Sequence, residues 1–339
     1  MKKLYTLFLI TGISLSASAQ LVYKDVAGIF YNRCTKCHHN GGGAPFSMMN
    51  YSETYPWSSL IQTDLTTGKM PVWPPDTTYT RFLHERIITV SEKNAILNWI
   101  SSVSQMGDTT IANGCPPAPV YLQNQLYGTP SLVLQIPTFT SNASSADAYN
   151  CFSLPTGLTQ DRYLRAFEIV PGNPAIVHHV VVTVDTVGNS TNDLSGLCYN
   201  QPGDFGIGGY APGSPPSVFP GVAPLKAGMR IKAGSKLVLQ IHYPIGSAGQ
   251  VDSTKIRLYF YPAGMPGIRD IYSSVFLQNW SLFIPANTTM TFTAQKTVNS
   301  IASGSDISLY AAFPHCHGVC TSIVNYALTT EPLPFHLFA

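Results

Sequence analysis

Cys34, Cys37 and His38 stand in the spacing C-x-x-C-H within RCTKCHHNGGGAPF, residues 33 to 46. Two thiols at this spacing, followed at once by an imidazole, can form thioethers to the vinyl groups of a haem while the histidine takes an axial position on iron. The same dithiol would also suit a thioredoxin-like centre or half of a zinc site. Against both, the sequence holds no second C-x-x-C and no βαβ pattern around this one. For the other axial position the leading residue is Met70 in GKMPVWPPD, where Pro71, Trp73, Pro74 and Pro75 would hold a thioether rigidly. His39 and His84 compete for that role. A His/Met pair raises the reduction potential and suits electron transfer rather than oxygen binding.

A second set of residues able to do chemistry lies in the other half of the chain. AIVHHVVVTV contains His178 and His179, KLVLQIHYPIG contains His242, and AAFPHCHGVC contains His315 and His317. Neighbours on a regular strand face opposite ways, so His178 and His179 share one ion only where the strand twists or bulges. In the second segment Leu237, Leu239 and Ile241 share one face, which leaves Val238, Gln240 and His242 on the other. His315 and His317, two apart, project to one side and can reach one metal. A single histidine is ordinarily a surface or hydrogen-bonded core residue. Five of the nine histidines in three strand-like segments is a different matter. Imidazole-rich sites suit copper or zinc, and copper stands higher in the affinity order.

These residues need elements to position them. Asp25 to Arg33 has helical spacing, with Val26, Ile29 and Phe30 on one side. Ser91 reads as an N-cap before EKNAILNWISSV, where Ile96, Trp99, Ile100 and Val103 make another apolar face. Helices before and after the C-x-x-C-H loop predict a small all-α haem domain. Beyond Asp108 the helical pattern stops, and TTIANGCPPAP reads as a linker. Strand-like runs follow at Tyr163 to Val170, Val177 to Val184, Lys236 to Tyr243, Lys255 to Tyr261 and Asp306 to Phe313, which predicts β-sandwiches.

The ends and the composition set the surroundings. Lys2 and Lys3, an apolar run from Leu4 to Leu15 and the small residues Ala17-Ser18-Ala19 read as a secretory signal peptide, too short for a membrane span. Export to a bacterial periplasm or beyond is expected, with no integral membrane segment. The 339 residues carry 19 basic and 17 acidic side chains, and two of the basic ones are in the leader, so the remainder balances. A neutral, charge-poor surface argues against a nucleic-acid or anionic-membrane partner. With Cys34 and Cys37 on haem, Cys115, Cys151, Cys198, Cys316 and Cys320 remain, an odd number.

From about Tyr149 to Leu328 the chain resembles the copper type II, ascorbate-dependent monooxygenases, the family of peptidylglycine α-hydroxylating and dopamine β-monooxygenases. The resemblance is an ordered series. YNCF at 149 to 152 is similar to an early Tyr-x-Cys, and PGNPAIVHHVVV to the His-His strand. GGYAPGSPPSVFPGVAPLKAG and SKLVLQIHYPIG are similar to the approach to the next copper histidine, and LYAAFPHCHG to the His-x-His strand. CTKCHHNGGGAPFSMMNY, GKMPVWPPD and ILNWI resemble the cytochrome c segment that precedes such domains in some bacterial proteins.

The resemblance implies two linked jelly-roll sandwiches, each with one copper. His178, His179 and His242 would hold the electron-supplying copper, and His315 and His317 would be two ligands of the oxygen-binding one. Cys151 and Cys198 would form a disulfide of the first sandwich, and Gln240 would lie behind His242. The implied reaction is hydroxylation of a C–H bond of a small molecule or peptide with dioxygen, electrons coming from ascorbate or a redox protein and through the haem.

The expected organisation is therefore a signal peptide (1–19), an all-α cytochrome c-like domain (20–108), a linker (109–117), a first sandwich (118–266) and a partial second sandwich (267–339). The resemblance calls for a methionine ligand beyond His317, whereas no methionine follows Met290. The second sandwich is thus expected to be incomplete, in a chain truncated or frameshifted at its end. A haem and copper electron-transfer protein without hydroxylase activity is the main alternative. A carbohydrate- or peptide-binding module is the non-redox one.

Overall fold

The computed structural model describes residues 20–338 except 73, 79, 80, 83, 122–125, 127, 276, 280, 298–307, 313, 315–318 and 328–334. The leader, Trp73, His315 and His317 lie outside the described residues. Helices come first: α1 (Tyr23–Arg33), α2 (Tyr51–Thr54), α3 (Ser58–Thr67) and α4 (Val90–Ser101). The strands are β1 (Leu132–Gln135), β2 (Phe139–Thr140), β3 (Ala148–Pro155), β4 (Arg162–Val170), β5 (His179–Asp185), β6 (Phe205–Tyr210) and β7 (Ser217–Val218). They continue with β8 (Ala227–Ile231), β9 (Lys236–Tyr243), β10 (Val251–Asp252), β11 (Lys255–Phe260), β12 (Arg269–Asp270), β13 (Asn325–Ala327) and β14 (Phe335–Phe338).

This corrects the expected fold class. The chain is mostly β, and its helical part holds three helices of 11, 10 and 12 residues and one of four. The described residues between them, including 34–50 and 68–89, are largely irregular, so no sizeable all-α cytochrome c domain is present. A second sandwich is likewise absent among the described residues. Beyond Phe260 they form only the two-residue β12 and the β13–β14 pair, and 308–312, read as strand, are not.

The helices form for the reasons the sequence offers. Val26 and Phe30 of α1 meet Ile96 and Trp99 of α4, all four fully buried. The start of α4 lies earlier than Ser91: Thr89 accepts from the Glu92 backbone N–H while the Glu92 carboxylate accepts from that of Thr89. Such a reciprocal capping box outcompetes a lone serine. Val103 lies beyond the helix, exposed and at positive φ. In the stretch 109–117, Cys115 is buried against this helical cluster.

Two sheets make a β-sandwich. One runs β1-β11-β4-β8-β12, with β7 also paired to β4; the other runs β3-β9-β5-β6. Phe152, Val180, Val182, Leu237, Leu239 and Ile241 from the second sheet face Leu164, Phe167, Ile231, Ile256 and Leu258 from the first. Each such side chain contributes roughly 1.5–3 kcal/mol on burial. The face alternation of β9 is as the sequence predicts: Leu237, Leu239 and Ile241 face this core, while Val238 packs against Cys151 and Cys198 on the other side.

That outer side is roofed by the segment between β5 and β6. Cys151 and Cys198 form a disulfide. Backbone bonds from Tyr149 to the Gly196 carbonyl and between Cys151 and Asp193 cover the free edge of β3. An edge capped in this way does not offer itself to another chain. The roof begins at Asp185, whose carboxylate accepts from the backbone N–H groups of Ser190, Gly188 and Val187. These bonds, Ser190's foremost, hold its carboxyl down at about 2. A carboxyl lowered on folding stabilises above its unfolded pKa, near 4, and loses that contribution as pH falls through the folded value. Acid unfolding is therefore expected to steepen between about pH 4 and pH 2, and Asp185→Asn to flatten that part of a stability–pH profile. Among the described residues no helix is long and apolar enough to cross a membrane.

Candidate metal centre

His178, His179 and His242 come together at one end of the outer face of the four-stranded sheet. His242 and His179 are directly paired between β9 and β5, so their side chains rise on the same side. His178 escapes the alternation expected of a strand because β5 begins only at His179. His178 precedes the strand, and its backbone N–H donates to the His242 carbonyl at 3.0 Å. The loss of regular strand geometry at this end lets two consecutive histidines reach one point.

The three Nδ1 atoms form a nearly equilateral triangle. His178 to His179 is 3.2 Å, His178 to His242 is 3.1 Å and His179 to His242 is 3.3 Å. Metal–imidazole bonds of about 2.0–2.1 Å at tetrahedral angles separate their nitrogens by about 3.3 Å, so the triangle fits one ion. Protons satisfy it poorly, because a ring N–H points to a single partner and three convergent nitrogens cannot all be paired. This is the one cluster among the described residues able to hold a metal with three His, Cys, Asp or Glu side chains.

Burial grades across the triad: His178 is exposed, His179 half-buried and His242 buried. Burial lowers the His242 pKa, the nearby His178 lowers it further, and Asp147 works against both. A neutral imidazole is what a metal requires. Asp147 Oδ2 lies 3.1 Å from His242 Nε2, close enough to pair with that ring nitrogen when it carries a proton, and Asp147 is held there by the Ile245 backbone N–H at 2.8 Å. A carboxylate behind a ligating histidine orients it and raises its basicity. Tyr149, opposite His242 on β3, stacks on its ring at 4.4 Å and 4°. Tyr199 in turn packs on Tyr149 at 5.2 Å.

Sequence reasoning placed Gln240 behind His242. Its Nε2 instead donates to the Cys198 carbonyl at 2.5 Å and so anchors the roof. It missed Asp147, for which an isolated acidic residue in a polar loop gives no signal. It also missed the stacking role of Tyr149, which the strand pairing alone reveals.

The C-x-x-C-H motif sits where α1 ends. Cys34 caps the helix, and a tight turn brings the N–H groups of Cys37 and His38 to the Cys34 carbonyl at 3.1 and 3.0 Å. Both thiols are free. Burial pushes Cys34 up to about 12 and raises Cys37, though Arg86 and Lys36 oppose the latter. His38 is buried, and its Nδ1 lies 3.0 Å from the Phe46 carbonyl. Donation there leaves Nε2 as the nitrogen for a metal.

Of the competitors for the opposite position, His39 is committed locally, with Nδ1 2.7 Å from the Thr35 carbonyl and its ring stacked on Tyr121 at 4.3 Å. His84 is exposed. Met70 is half-buried and its N–H donates to the carbonyl of Asp64, whose charge is felt by His38. Cys34, Cys37 and His38 are the residue types that covalent haem attachment would use, and Met70 lies in the loop after α3.

No protein-family model matches the chain, and no characterised protein matches it.

Proposed function

We propose that this chain is an exported copper-dependent monooxygenase. His178, His179 and His242 would hold the electron-supplying copper, and Cys34, Cys37, His38 and Met70 would hold a covalently attached haem, the two groups supplying one-electron redox chemistry. The observation that carries the reading is the Nδ1 triangle, with edges of 3.1 to 3.3 Å. Copper bound there supplies one-electron redox chemistry, which hydroxylation of a C–H bond by dioxygen requires.

The protein's own part is to hold the donors. His242 is kept neutral by burial, Asp147 stands behind it, and Tyr149 fixes its ring plane. His315 and His317 would serve the oxygen-binding copper, the substrate being a small molecule or peptide and the external donor ascorbate or a redox protein. The leader-like first 19 residues and the disulfide support an oxidising, exported setting.

The histidine triangle taken by itself also suits a second reading, a haem and copper electron-transfer protein without hydroxylation. The deciding measurement is the copper-to-haem-iron ratio of the copper-saturated full chain, together with substrate-dependent oxygen uptake. Two coppers per haem with uptake are expected. One copper per haem and no uptake would leave the second reading, and loss of haem colour on denaturation would remove covalent attachment.

A further inference from the structure

We propose that the turn Ala211–Ser214, between β6 and β7, is the bridge through which the haem-attachment loop and the histidine triad exchange an electron, with Arg86 and Gly43 as its positioning residues. The proposal rests on the haem and copper assignments above and adds the contact that joins them.

The turn touches the motif directly. Cys37 Sγ donates to the Pro212 carbonyl at 3.5 Å, and Arg86 Nη2 donates to the same oxygen at 2.8 Å. The two surfaces interlock at glycines on both sides. A Cβ on Gly43 would collide with the Pro212 ring, and a Cβ on Gly213 would collide with Cys37 Sγ. Gly213 has in addition a φ of +75°, a conformation that side chains other than glycine's disfavour. Glycine makes possible a close approach of backbone to sulfur at position 213 and of backbone to the proline ring at position 43.

The turn also leads straight to the triad. Pro212 is two residues beyond Tyr210, the last residue of β6, and Tyr210 is paired with Val180 of β5. Val180 follows His179, whose Nδ1 is a corner of the triangle. From the Cys37 sulfur to His179 the route therefore crosses one sulfur–carbonyl contact and one strand pairing, and is otherwise covalent.

Thioether formation removes the Cys37 S–H, after which Arg86 is the donor that keeps the Pro212 carbonyl against the loop. In the transfer one electron leaves ferrous haem iron, which becomes ferric, and reduces cupric to cuprous copper. No bond is made or broken.

The test uses the full chain loaded with haem and copper, the haem being reduced by a light flash and its reoxidation followed by absorbance. Arg86→Ala and Gly43→Val are expected to slow reoxidation several-fold, because each loosens the contact between the loop and the turn. Haem content, copper content and haem potential should stay at wild-type values, and Arg86→Lys should recover part of the rate. Reoxidation as fast in both variants as in the wild type would overturn the bridge while leaving the haem and copper assignments standing. A wild-type chain that takes up no haem or no copper would overturn those assignments and the bridge with them. If Gly43→Val fails to load haem, Arg86→Ala decides alone.

Discussion

On the copper assignment proposed above, replacing His242 with alanine is expected to abolish stoichiometric copper binding by the sandwich. Loss of a partner behind a ligating histidine already costs about 10–100-fold in metal affinity, so loss of the ligand itself should exceed that range. His242 is the decisive member because it is the buried corner of the triangle, held from behind by Asp147 and from the side by Tyr149. The two remaining histidines are adjacent in sequence and more exposed, and two imidazoles on an open edge hold an ion weakly. The backbone should survive the change, since the His178 N–H donates to the carbonyl of residue 242 and not to its ring. Competition against a chelator of known affinity measures the loss, and circular dichroism establishes that the sandwich is intact. Undiminished affinity in a folded His242→Ala protein would place the metal elsewhere.

Removing the Cys151–Cys198 disulfide has the second largest expected effect. It closes a loop with a sequence separation of 47, and chain-entropy arithmetic gives about 4 kcal/mol for a loop of that size. The double variant Cys151→Ala/Cys198→Ala should therefore unfold at markedly lower denaturant, and reductant should shift the wild type in the same direction. The effect extends to the metal centre. The Cys198 carbonyl takes the Gln240 side-chain bond, and neighbouring Tyr199 backs the ring that stacks on His242. Copper affinity is expected to weaken in the double variant even below its unfolding transition. Equal midpoints with and without the bridge would show that the roof is held by its backbone bonds alone.

How much of this was legible in the sequence depended on whether local pattern or distant pairing decided the outcome. The strand Lys236–Tyr243 and its two faces were readable because strict alternation leaves one register that buries Leu237, Leu239 and Ile241. The His178–His179 pair was ambiguous because the answer lay in where β5 begins, which the bond to the His242 carbonyl sets. The expected all-α domain failed for a different reason. Apolar spacing in α1 and α4 identified two helices correctly but carried no information on the irregular chain between them. Asp147 and the contact of Arg86 with Pro212 were invisible, since each depends on residues far apart in the chain. His315 and His317 lie outside the described residues.

The two faces of β9 also bear on how such a chain can change over generations. Hydrophobic packing occupies one side of that strand, with Leu237, Leu239 and Ile241, and the candidate ligand His242 stands on the other. Point substitutions can therefore tune the scaffold or the metal centre separately. A single inserted or deleted codon between Lys236 and His242 would instead rotate that part of the strand onto its opposite face, sending ligand and core to the wrong sides together. Drift in this stretch is therefore expected to be confined to replacements, with length variation left to the turns.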